Sequence, residues 1–131
     1  MSRSLILVLA AIGTAAAVAA CGGSSTSPSP GAVVTFSVVN ETFRVSLTTP
    51  DQVAAAKAAQ NGGRARIPNG RIVSGTGVNS GWSWHLEDVS FAEVTIEVCD
   101  GRPSDVERQG AAFGGGRYCP WSAVVTRIDQ Q

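Results

Sequence analysis

The sequence is poor in charge, in histidine and in the cysteine patterns that accompany catalysis. Only 15% of its 131 residues are charged, with ten basic side chains against ten acidic ones, so nothing marks the chain for nucleic acid. It contains one histidine, and its three cysteines form no Cys-x-x-Cys pair of the kind used for zinc or redox chemistry. Neither a Gly-x-Ser-x-Gly elbow nor a phosphate-binding glycine pattern is present. We therefore expect neither a cofactor nor a nucleic-acid partner.

The apolar residues are concentrated at the N-terminus. Arg3 is the only charged side chain among the first 20 residues, and Leu5–Ile12 is an uninterrupted apolar run. This order is typical of a secretory signal peptide and is too short for a membrane span. The small residues before Cys21 resemble a bacterial lipobox, in which the cysteine is acylated and becomes the first mature residue. An ordinary signal peptide with a chance cysteine is the alternative.

The residues after Cys21 predict a tether. Residues 22–31 contain only Gly, Ser, Thr and Pro, so they have nothing to bury and cannot form a core. We predict a lipoprotein signal peptide over 1–20, a tether over 21–31 and one globular domain over 32–131. Because Gly22 rather than an aspartate follows Cys21, the resemblance to lipoproteins implies anchoring in the cell envelope, at the outer membrane where the host has one.

The domain begins with a predicted hairpin and helix. Two β-branched runs, 33–39 and 42–48, flank Asn40-Glu41 and predict an antiparallel hairpin. Thr49-Pro50-Asp51-Gln52 has the spacing of a capping box with proline at the first helical position. An alanine-rich helix over 50–60 follows from it, with side chains small enough to lie close to a sheet.

The rest of the chain predicts further strands and one short helical turn. We expect strands at 71–73, 82–86, 91–99 and 121–128, with a glycine-rich loop over 74–81. In the 91–99 run, Val94, Ile96 and Val98 share one alternating face, as in a strand with one face covered. A second capping-box spacing begins at Ser104. The fold class is therefore α+β, a mainly antiparallel sheet with one alanine-rich helix and a short second helical turn.

Cys99 and Cys119 remain after Cys21 is assigned to the lipid. In an exported protein such a pair oxidises, and no additional ligand pattern suggests a metal. We predict one structural disulfide, which closes a loop of about 20 residues.

His85 is the one histidine, and Glu87 lies on the same predicted strand face. With Glu93 or Glu97 these residues could form a mixed imidazole and carboxylate metal site. A strand histidine that is hydrogen-bonded to a neighbouring acid is the simpler interpretation. Ser83, His85 and Asp88 could also be arranged as a hydrolase triad, but the surrounding sequence provides no nucleophile motif.

Three tryptophans, Trp82, Trp84 and Trp121, stand out in a domain with few large side chains. Trp82 and Trp84 fall on one predicted strand face, and they either fill the core or form a recognition surface. Core packing is favoured because little else could fill the interior. The candidate binding surface is therefore Trp82, Trp84, His85 and Glu87.

Several segments resemble a known family. They are FRVSL at 43–47, the helix after Thr49-Pro50, NSGWSWHL at 79–86, FAEVTIEVCDG at 91–101 and CPWS at 119–122. Together they are similar to the N-terminal domain of the slime-mould cyclic-AMP-inducible prespore, calmodulin-binding protein and its bacterial relatives. The chain departs from the family pattern at Glu87-Asp88 and at Tyr118. The resemblance implies the fold and no catalytic residue, and the helix with its single lysine is unlike a calmodulin target.

Three functional hypotheses follow. The first is a non-catalytic, lipid-anchored envelope module that binds an unknown protein or small ligand, with the membrane as its other partner through Cys21. The second is a small enzyme or metal-binding module centred on His85 and neighbouring carboxylates. The third is an inhibitor of another extracytoplasmic protein.

Overall fold

The computed structural model describes residues 31–131; the predicted signal peptide, Cys21 and nearly all of the predicted tether lie outside this range. Within it, no helix is long and apolar enough to cross a membrane. The elements in chain order are β1 (Ala32–Val38), β2 (Glu41–Leu47), α1 (Pro50–Gln60), β3 (Ile67–Ser74), β4 (Trp84–Ala92), α2 (Pro103–Gln109), β5 (Arg117–Tyr118) and β6 (Val124–Gln130), with 3₁₀ turns at Glu97–Cys99 and Gly110–Gly115.

The strands form two antiparallel sheets rather than one. The first has the order β2-β1-β6 and the second β4-β3-β5. Alternate residues of β1 and β2 face a shared core, where the rings of Phe36 and Phe43 stack 5.0 Å apart. Phe43 also packs against Trp84 of β4 and Tyr118 of β5, so the aromatic side chains join the two sheets. The predicted α+β class is confirmed.

The β1–β2 hairpin turns one residue earlier than predicted. Val39 and Asn40 both have positive φ, 47° and 67°, so they form the two-residue turn, and Glu41 already belongs to β2. Two consecutive positive φ angles match the twist of a hairpin and suit Asn or Gly. Val39 is half-exposed, so packing does not explain a β-branched residue there.

Val39→Asn is expected to stabilise the protein by about 1 kcal/mol, because the left-handed region costs a β-branched residue roughly that much more. For a domain of this size the melting temperature should rise by roughly 4–8 °C. Val124→Asn is the matched control, since Val124 is also exposed but lies in a strand without positive φ. Calorimetry on both variants checks the prediction, and an unchanged or lower melting temperature for Val39→Asn would contradict it.

Helix α1 forms as the capping box predicts. The Thr49 hydroxyl accepts from the Gln52 N–H at 3.2 Å, and the Gln52 side chain accepts from the Thr49 N–H at 3.1 Å. Val53 and Ala56 face the core, and the remaining small residues let the helix lie against β6 and β4. The second predicted capping box does not form. The Ser104 N–H instead donates to Glu41 of β2, and the carboxylate of Glu107 reaches Ser83.

The centre of the chain departs most from the predicted strands. Strand β3 is longer than expected and contains Asn69-Gly70, which had the pattern of a tight turn. The runs predicted at 82–86 and 91–99 contribute to a single strand, β4, which ends at Ala92. The prediction of a strand over 91–99 is wrong beyond that residue. Val94, Ile96 and Val98 lie in an extended loop and a 3₁₀ turn, and all three are exposed.

The predicted disulfide between Cys99 and Cys119 is confirmed. The two cysteines are buried with Ile67 in a small cluster separate from the main core. Their backbones are also paired, because the Cys119 N–H donates to the Cys99 carbonyl at 2.8 Å. The staple fixes the loop after β4 to the chain just after β5. The last strand, β6, begins three residues later than predicted.

Candidate functional site

His85 lies on β4 with its ring pointing away from the core, while its neighbours Trp84 and Leu86 point inward. Its Nδ1 lies 2.6 Å from the Gly75 carbonyl oxygen and its Nε2 lies 3.3 Å from Glu87 Oε1. A carbonyl oxygen only accepts, so Nδ1 carries a hydrogen. The Nε2 contact is then a hydrogen bond only when the imidazole is protonated, because the ionised Glu87 carboxylate also only accepts. Glu87 is thus able to accept from a different donor when His85 is neutral.

Glu87 is shared between His85 and Arg71 of β3. Arg71 donates to Glu87 Oε2 at 2.7 Å and to Asp88 Oδ2 at 3.1 Å. The contacts from His85 and then from Arg71 hold the pKa of Glu87 below its ordinary value, and the two carboxylates raise the pKa of Arg71. All three charged groups are substantially exposed, so the interactions orient the side chains more than they stabilise the fold.

A β-bulge aims Asp88 at this cluster. The β3–β4 register shifts between Asn69 and Arg71, and Asp88 adopts a φ of +52°. Gly70 lies at the shift, where an added Cβ would come within 2.9 Å of the Leu86 Cβ. A bulge of this kind redirects a side chain at a functional edge. Local sequence alone gave no sign of it, since Asn-Gly and Glu-Asp pairs both resemble turns.

The cluster borders an open groove of about 480 Å³ between the two sheets. One wall comes from β4 and the glycine-rich loop before it, and the other from the end of β2 and the start of α1. The groove is lined by Ser46, Thr48, Gln52, Gly77, Val78, His85, Leu86, Glu87 and Asp88. Hydroxyl, amide, imidazole and carboxylate groups therefore face one space over an apolar floor.

Gln52 fixes the helix side of the groove. Its amide nitrogen donates to the Val89 carbonyl of β4 at 2.8 Å, while its amide oxygen accepts from the backbone of Thr48 and Thr49. One side chain therefore caps α1 and holds it against the second sheet. Gln52 was predicted only as a cap, because the contact with β4 depends on tertiary structure.

The tryptophans do not form the predicted recognition surface. Trp84 is buried at 2% exposure among Phe43, Tyr118 and Trp82, and its indole N–H has no partner among the described residues. Trp82 precedes β4, is half-buried and donates to the Thr42 carbonyl at 2.8 Å. Trp84 is therefore removed from the candidate binding surface, and the favoured interpretation of core packing holds for it. His85 and Glu87 remain at the groove.

The alternative chemistries find little support in the geometry. Ser83 donates its hydroxyl to Glu107 of α2 at 2.8 Å, so it does not form a triad with His85 and Asp88. Within residues 31–131 no three histidine, cysteine or acidic side chains are grouped as metal ligands. Glu93 and Glu97 follow the end of β4 and do not line the groove.

Asn79 is the residue whose importance the sequence did not reveal. It is fully buried in the glycine-rich loop, where its side chain accepts from the Arg44 N–H at 2.8 Å and donates to the Trp84 carbonyl at 2.9 Å. Both groups belong to edge strands, β2 and β4, so one amide bridges the edges of the two sheets. This bridge fixes the loop that carries Gly77 and Val78 into the groove.

Comparison with known proteins agrees with the resemblance noted from the motifs. None of the curated proteins or solved structures matches the chain significantly. The family model that matches describes the N-terminal domain of the calmodulin-binding prespore protein named above, and it covers residues 30–131, which include every element of both sheets. The chain therefore belongs to this N-terminal domain family.

Proposed function

We propose that the protein is a non-catalytic binding module of the cell envelope, held at a membrane by a lipid on Cys21. The small residues before Cys21 and the Gly/Ser/Pro composition after it support the anchor. The observation that carries the binding role is the groove at His85, whose polar side chains converge on one space while the frame around it is fixed. In a host with an outer membrane, that membrane is the expected location.

The charge of the groove favours a ligand with a cationic group. Glu87 and Asp88 provide two carboxylates, and Arg71 balances them with one guanidinium. Since Nδ1 of His85 is committed to Gly75, a neutral His85 leaves Glu87 Oε1 free to accept from an ammonium group. The side chains of Leu86 and Val78 would contact the apolar stem of such a ligand.

The anchor is tested by Cys21→Ser. We expect this variant to move from the membrane fraction to the soluble extracytoplasmic fraction, because a serine cannot take the thioether-linked lipid. Gly23→Ser is the matched control and should stay with the membrane. Unchanged membrane retention of Cys21→Ser would contradict the anchor and leave the groove hypothesis standing.

The groove is tested with two small probes that differ in one group. Acetyl-lysine amide carries an ammonium, and acetyl-norleucine amide has the same stem without it. We expect the lysine probe to shift the NMR signals of His85 and Gly77 in the millimolar range, and the norleucine probe to shift them far less. Asp88→Asn together with Glu87→Gln should abolish the difference, since Asn tolerates the positive φ at 88. Equal shifts from both probes would contradict a cation-selective groove.

A further inference from the structure

The largest exposed aliphatic side chains lie on one short segment after β4. Val94, Ile96 and Val98 are 80%, 68% and 64% exposed, and we refer to these three residues as the apolar ridge. Their alternation has the pattern of a strand, but the segment is paired with no strand of residues 31–131. Exposed aliphatic residues grouped in this way mark an interaction surface.

The ridge is held in place from both ends. The indole N–H of Trp121 donates to the Thr95 hydroxyl at 2.6 Å, and the Cys99–Cys119 disulfide fixes the following turn. The backbone N–H of Trp121 also donates to the carboxylate of Asp100 at 2.8 Å. A surface that is already ordered loses little conformational entropy when it binds.

Charges of both signs lie beside the ridge. Arg64, Arg66 and Glu93 line a hollow of about 400 Å³ that also borders Val94, and Glu97 lies within the ridge segment. None of these four charged side chains forms a salt bridge with another described residue. The surface therefore combines protruding aliphatic residues, a hollow next to them, and unpaired acids and arginines.

We propose that this surface binds a second copy of the same chain about a two-fold axis. A two-fold interface requires one patch to be complementary to itself. Here Ile96 and Val98 of one copy would enter the hollow of the other, and Glu93 and Glu97 would face the other copy's Arg64 and Arg66. The pairing satisfies the apolar and the charged parts of the patch at once.

A lipid surface fits the same patch less well. Glu93 and Glu97 would have to approach the bilayer together with the ridge. The backbone N–H groups of Val94, Thr95 and Ile96 bond no other described residue, and such groups are costly in hydrocarbon. In a protein interface the same donors can pair with a partner's carbonyl groups.

Sedimentation equilibrium of the Cys21→Ser chain tests the proposal, because the substitution removes the lipid site and the third thiol. Over about 1 µM to 1 mM, the range suited to a small interface, the mass should rise from that of a monomer toward that of a dimer. Ile96→Asp should weaken the association at least tenfold, since it buries a charge in place of an apolar side chain. Val39→Asn, at an exposed valine outside the ridge, should leave it unchanged.

A charge exchange separates this interface from non-specific association. Arg64→Glu with Arg66→Glu should prevent self-association by placing acids opposite acids, and Glu93→Arg with Glu97→Arg should do so with arginines. An equimolar mixture of the two double variants should associate again. A monomer at all concentrations, or a mixture that stays monomeric, would overturn the proposal. Retention of the Cys21→Ser chain on zwitterionic vesicles that is lost with Ile96→Asp would overturn it in favour of a lipid surface.

Discussion

Asn79→Ala is expected to lower the free energy of unfolding by about 3 to 5 kcal/mol. The substitution leaves the Arg44 N–H and the Trp84 carbonyl without partners, and each unsatisfied buried group costs about 1 to 3 kcal/mol. Because a domain of this size is stable by only about 5 to 15 kcal/mol, the melting temperature should fall by roughly 15 °C or more. Urea unfolding followed by tryptophan fluorescence measures the change.

Asn61→Ala is the matched control for this prediction. Asn61 follows α1, is exposed, and its side chain bonds no other described residue, so its loss should change stability by less than about 0.5 kcal/mol. If the Asn79 variant were destabilised by less than about 1 kcal/mol, the bridge between the two sheet edges would not be a structural element.

Asn79→Asp distinguishes the lost hydrogen bond from the lost volume. The aspartate has nearly the same shape, but when ionised it cannot donate to the Trp84 carbonyl, and burial raises its pKa above that in the unfolded chain. A protonated carboxyl can donate again. Stability of this variant should therefore rise relative to the parent as the pH falls through the raised pKa, and be lost as the pH increases. A difference that does not change with pH would point to packing alone.

Local chemistry explains what could be predicted from the sequence. Helix α1 was predicted with its observed bounds because its cap, Thr49 to Gln52, is a contact between neighbours. The β1–β2 hairpin follows from alternation, since a slip of one residue would turn Phe36 and Phe43 to solvent. The disulfide follows from the exported context and from the two cysteines that remain when Cys21 is set aside.

Other features depend on distant partners that local patterns do not specify. The alternation over 91–99 indicates that a strand can form, but not that a neighbouring strand exists beyond Ala92. Asp88 and Gly70 resemble turn residues and are instead the two sides of a bulge. Asn79 lies in a glycine-rich stretch where asparagine is common for its turn preference. Its role depends on Arg44, which lies 35 residues away on the other sheet.

The same reasoning locates the groove only in part. His85 and Glu87 were predicted as neighbours on one strand face, and they are. Ser46, Thr48 and Gln52 were not, because they reach the groove from the other sheet and the helix. A binding site between two sheets is thus visible in the sequence only on the wall that one strand contributes.

Reduction of the Cys99–Cys119 bond is expected to cost about 3 kcal/mol, the loop-closure entropy of about 20 residues. The closed loop contains α2 and the 3₁₀ turn after it, whose Val106 and Phe113 belong to the main core. Those contacts remain after reduction, so the sheets should persist while the loop opens more often. Dithiothreitol should therefore lower the urea midpoint of the Cys21→Ser chain and speed amide exchange over 93–119 more than over the β1–β2 hairpin.

Cys99→Ala with Cys119→Ala is the control for reduction. In the absence of reductant this variant should unfold near the midpoint of the reduced chain, and dithiothreitol should not move it further. Its apolar ridge would also lose one of its two attachments, leaving the Trp121–Thr95 hydrogen bond as the other. The variant should then associate more weakly than the oxidised chain in the same sedimentation experiment, because ordering the ridge now opposes binding. An unchanged urea midpoint on reduction would mean that the disulfide does not constrain the unfolded chain, and unchanged association would mean that Trp121 alone fixes the ridge.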